Sequence, residues 1–77
     1  MSGDPFGQYR LGLLYADGKG VPKDFVKAYA LYNFSPMHDK LSADTRGKLA
    51  SKMSRAQIEA GQALIREMQR IGVLEAL

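Results

Sequence analysis

A chain of 77 residues makes one domain at most, and a domain near this size buries roughly 60 to 65% of the surface its unfolded chain exposes, so its core is thin. The absence of cysteine excludes a disulfide and a thiolate metal site, two of the staples that small scaffolds often add. The net charge of +3 comes from lysines and arginines scattered between Arg10 and Arg70 with acids among them, the pattern of a mixed-charge surface and not of a nucleic-acid-binding tail.

Residues 1 to 4 read as a short flexible start. Asp4-Pro5 then reads as a helix N-terminus, because Asp accepts hydrogen bonds from the first free amides and Pro suits the first helical position. A first helix is expected over 5–16, with Leu11, Leu14 and Tyr15 on one face. Asp17-Gly18 ends it, since Gly enters a left-handed conformation at little cost. The apolar run from Leu11 to Ala16 is interrupted by Gly12 and is too short for an export signal, so no membrane association and a cytoplasmic location are expected.

After the loop Gly18 to Pro22, a second helix is expected over 23–35, because Pro22 biases Val21 away from helical dihedrals. Phe25, Ala28, Leu31, Tyr32 and Ser35 mark its buried face, and Pro36 stops it. Two helices and a tight turn make an antiparallel hairpin. All seven aromatics lie between Phe6 and Phe34, so the hairpin holds the bulky core. Ser42 is a candidate cap for a third helix over 42–53, whose apolar positions Thr45, Leu49, Ala50 and Met53, with Leu41 just ahead, are weak. Ser54-Arg55-Ala56-Gln57 has the form of a capping box and opens a fourth helix over 55–71, striped by Ile58, Gly61, Leu64, Ile65, Met68 and Ile71. Gly72 ends it. Gly47 and Gly61, inside expected helices, suggest a close crossing of the third and fourth helices or simple looseness. The fold class is therefore all-α, a single domain over 1–77 with a hairpin at 5–36 and a helical pair at 42–72.

Within the hairpin, Leu11, Gly12, Tyr15, Gly18, Gly20, Val21, Asp24, Ala28 and Leu31 follow a Leu-Gly, Tyr, Gly-x-Gly-Val, Asp, Ala series. In order and spacing it closely resembles the Sel1-like repeat, a helix-turn-helix relative of the tetratricopeptide repeat. The stretch from Lys48 to Arg66 resembles, more weakly, the helical tail after the last repeat in bacterial members. The resemblance implies a helical scaffold that serves as an adaptor between proteins. One repeat is fewer than the three or so that stacking usually requires, so self-association, or origin as a fragment of a longer repeat protein, is also expected.

No catalytic constellation accompanies the scaffold. Gly18 to Gly20 follows a helix and not a strand, which argues against a phosphate loop. His38 is the only histidine, and with Asp39 alone it falls short of a metal or acid–base set. No enzyme activity and no cofactor are expected. Phe6, Tyr9, Arg10 and Leu13 form a second stripe on the first helix, rich in the residue types of binding hot spots. In proteins of the resembled family such a face lines a partner-binding surface; the alternative is that the later helices cover it as core. Val73, Leu74 and Leu77 form an apolar tail that packs back, mediates self-association or frays. Another protein is thus the expected partner. Nucleic acid, contacted through Lys48, Lys52, Arg55, Arg66 and Arg70, ranks below it for want of a recognition element.

Overall fold

The computed structural model describes residues 5–34 and 40–77, the side chains at 5, 6, 34, 40–43 and 74 lying outside that description. Asp4, Ser35, Pro36, Met37, His38 and Asp39 therefore lie outside the described residues, as do the side chains of Phe6, Ser42 and Leu74. Among the described residues every regular element is helical: α1 Pro5–Asp17, α2 Phe25–Phe34, α3 Lys40–Ala50, α4 Arg55–Ile71 and a short terminal turn, α5 Val73–Ala76.

The helix ends follow local chemistry. Gly18, at φ 72°, donates its amide to the Leu14 carbonyl at 2.7 Å and closes α1 one residue beyond the expected end. The connection also uses Gly20 at φ 78°. The second helix begins at Phe25 and not near Lys23, because Asp24 outcompetes Pro22 for the start. Its carboxylate accepts the Lys27 amide at 3.1 Å, and its own amide donates to the Tyr15 carbonyl at 2.9 Å, fixing the cap to α1.

The third helix spans Lys40–Ala50 instead of 42–53. Ser42 is thus inside the helix and not at its cap. After Ala50 the chain tightens into three-residue turns, with Lys52 donating to the Leu49 carbonyl and Met53 to that of Ala50. The start of α4 matches the expected capping box. The Gln57 amide donates to Ser54 Oγ at 3.1 Å, and the Ser54 amide donates to Gln57 Oε1 at 2.9 Å. Gly72 ends α4 at φ 100°, its amide donating to the Met68 carbonyl.

Packing is organised around α2, which meets α1, α3 and α4. One core cluster joins Ala28 and Tyr32 of α2 to Leu49 and Met53, with Tyr9, Leu13 and Ala16 of α1 against it. The other joins Ala30 and Leu31 of α2 to Met68 of α4, with Leu11, Leu64, Ile65, Val73 and Leu77 against it. Tyr15 touches both.

The buried face of α1 is centred on Gly12. Successive helical residues turn by about 100°, so Tyr9, Leu13 and Ala16 flank Gly12 on one side, Leu11 and Tyr15 on the other. Arg10 and Leu14 fall opposite. Leu14 is accordingly 41% exposed, which corrects its expected place on the core face. A Cβ on Gly12 would stand 2.6 Å from Tyr32 Cε1, so the missing side chain is what seats α2 against α1. Gly61 plays the same part between α4 and α2, where a Cβ would stand 2.6 Å from Tyr29 Cδ2. The close crossing thus joins α4 to α2, not to α3. Gly47 has open space around it.

Candidate binding groove

Where α3 docks beside the α1–α2 pair it leaves an open groove of about 320 Å³. Its position is set by contacts between residues far apart in sequence. The Tyr9 and Tyr32 rings meet at 5.5 Å, tilted by 41°. The Tyr9 and Thr45 hydroxyls share a hydrogen bond at 3.0 Å, tying α1 to α3. Arg46 Nη1 donates to Asn33 Oδ1 at 3.0 Å, tying α3 to α2.

Leu13, Phe25, Tyr32 and Leu49 supply the apolar lining. Lys23, Lys48 and Lys52 stand around it with Asp17, a rim of three positive charges and one negative. All four charged residues are exposed. Lys23 Nζ lies over the Phe25 ring, 5.1 Å from its centre, a cation–π contact that holds this ammonium at the groove. Among the described residues, the ion pairs involve other side chains: Arg55 with Glu59 at 3.6 Å, and Arg70 with Glu67. The hydrogen bond from Arg70 holds the Glu67 carboxyl below the ordinary carboxylate range.

Tyr32 is only 3% exposed. Burial, with smaller contributions from Tyr9 and Asp17, pushes its phenol up to about 12, so it is neutral throughout the physiological range. The groove therefore offers hydrogen bonding and apolar contact at its base and cationic attraction at its mouth. Among the described residues no three His, Cys, Asp or Glu side chains gather as a metal site would require. No described helix is long and apolar enough to cross a membrane.

The residues singled out in the sequence are distributed as follows. Leu13 lines the groove, and Tyr9 lies against the first core cluster, its hydroxyl bonded to a groove residue. Arg10 is exposed on α1 and does not line the groove. Val73 and Leu77 pack against the Ala30, Leu31 and Met68 cluster. Of the repeat-like residues, Ala28 and Leu31 are fully buried, Gly12 is the seat of Tyr32, and Val21 is half-buried. Of the five basic residues considered for nucleic acid, Lys48 and Lys52 reach the groove while Arg55 and Arg70 are paired with glutamates. Sequence reasoning missed Lys23 and Thr45 as site residues, and their grouping with Lys48 depends on how α3 docks. No family model, curated protein or solved structure matches the chain.

Proposed function

We propose that the chain is a protein-interaction module of the Sel1-like kind, acting in the cytoplasm as an adaptor or regulatory subunit. The observation that carries this reading is the groove: a mixed polar and apolar lining inside a charged rim, assembled from three helices and the turns beside them. The family reading draws support from the physical work of the matched residues. Gly12 admits Tyr32, Gly18 and Gly20 hold positive φ, and Asp24 caps α2 while bonding back to α1. The face named by Phe6, Tyr9, Arg10 and Leu13 adjoins the groove through Leu13, which makes the groove the preferred seat for a partner segment.

Affinity capture from nuclease-treated lysate tests this. Wild type is compared with Lys48→Glu/Lys52→Glu at the groove and with Arg66→Glu, an exposed position on α4 that does not line it. A protein retained by wild type and by Arg66→Glu but lost from the double variant is the expected result. Retention of nothing, or only of nuclease-sensitive material, refutes the adaptor reading.

A further inference from the structure

Resting on the interaction-module reading, we propose that the groove takes an acidic peptide segment, one bulky apolar or aromatic side chain flanked by Asp or Glu residues. The argument is one of charge and size. Lys23, Lys48 and Lys52 converge on one opening from three separate segments: the turn before α2, the last part of α3 and the turn after it. None of the three is neutralised by an ion pair among the described residues, whereas Arg55 and Arg70 on α4 are. Like charges gathered around one opening repel one another until a partner supplies the opposite sign, and they steer an acidic partner to it.

At about 320 Å³ the cavity lies at the small end of the roughly 300 to 1,000 Å³ range of ligand sites, a size suited to one inserted side chain and not to a large cofactor. Leu13 and Leu49 offer that side chain apolar contact. The flanking carboxylates then remain at the mouth, beside the exposed lysines, and avoid the cost of full burial.

The same features favour a peptide over nucleic acid. Single strands bind by stacking bases on free aromatic faces above a basic track. Here Tyr32 is 3% exposed, and Lys23 Nζ already covers one face of Phe25. Asp17 on the rim adds a repulsion that a continuous polyanion meets and a peptide with spaced acids avoids.

The test uses the isotope-labelled 77-residue chain and three labelled twelve-residue peptides of otherwise identical sequence. One carries a central Phe flanked by Glu, the second has Ala for Phe, and the third has Gln for Glu. Oligothymidylate and a vesicle of anionic lipid are run in parallel, with affinities read by fluorescence polarisation and the location by amide shifts. The acidic Phe peptide is expected to bind best, shifting Leu13, Lys23, Lys48 and Leu49. Lys48→Glu/Lys52→Glu, both at exposed positions, should weaken it by about tenfold, and added salt should weaken it progressively.

Equal binding of the Gln and Glu peptides at the groove overturns the acidic preference while leaving the interaction module standing. So does tighter binding of oligothymidylate, of the vesicle or of a second copy of the chain through the same amides, or no peptide binding at millimolar concentration from a chain that still retains a lysate protein through the groove. Failure of every peptide together with failure of lysate capture removes both.

Discussion

Replacing Gly12 with Ala sets two effects of opposite sign against each other. In a helix interior Ala is favoured over Gly by about 1 kcal/mol. Against this, the new Cβ would lie 2.6 and 2.8 Å from Tyr32 ring carbons and 3.4 Å from the Ala28 carbonyl oxygen. Ordinary contact starts at 3.4 Å, so the ring or the helix must retreat by roughly 0.8 Å. The ring has little room, being almost fully buried with Tyr9 packed against it. Overpacking of this kind costs about 1–3 kcal/mol or more, and when the helix itself must move the upper part of that range applies. The net expectation is a loss of about 1–2 kcal/mol, or a Tm lower by roughly 5–15 °C in a chain of this size. Gly47→Ala is the control. It makes the same chemical change in α3 with nothing within 4 Å, and should raise stability by about 0.5–1 kcal/mol. Thermal and urea unfolding followed by circular dichroism compare both with wild type. If Gly12→Ala is as stable as Gly47→Ala, the close seating of α2 on α1 at Gly12 is refuted.

Gly61→Ala should fall between these two, costing under about 1 kcal/mol, because a single Tyr29 ring atom crowds the new Cβ and that ring is only half-buried; a melt as low as that of Gly12→Ala would contradict this. Ser54→Ala removes the cap of α4 and should lower stability by about 1 kcal/mol, with Ser54→Asp restoring most of it in the same unfolding assay. In an alkaline titration of phenolate absorbance, one of the four tyrosines should ionise at about 12 instead of about 10. Because the folded-state value is the higher one, Tyr32 contributes stability that is complete below pH 10 and is lost as pH rises through 12. That contribution is on the order of 1–2 kcal/mol after solvent screening is allowed for, and Tyr32→Phe should abolish this part of the alkaline loss. A Tyr32 phenol that ionises near pH 10 in the folded chain would refute the burial argument.

What was legible in the sequence was what neighbouring residues decide between themselves. The α4 capping box is complete within Ser54 to Gln57, so its start could be read from those residues alone. The start of α2 could not, because the bond from the Asp24 amide to the Tyr15 carbonyl depends on the returning chain. The face of α1 was misread at Leu14 for a related reason. A glycine adds no apolar weight to a periodic pattern, so the stripe was drawn through Leu14 instead of being centred on Gly12. The groove was less legible still. It depends on a hydrogen bond across 36 positions, from Tyr9 to Thr45, and on a third helix whose apolar positions are few. The lysines were visible as residues, but the opening they share exists only after α3 has docked.

The central place of α2 divides the molecule's labour. Among the described residues α3 and α4 barely meet, each resting instead on α2. The groove's Lys48 and Lys52 belong to α3 and the turn after it, while Met68, Val73 and Leu77 secure the other core cluster. Sequence drift on the outer side of α3 can therefore reshape the groove without demanding compensating changes in α4. Variation within α2 has no such freedom, since any change in its shape is felt by every helix that leans on it.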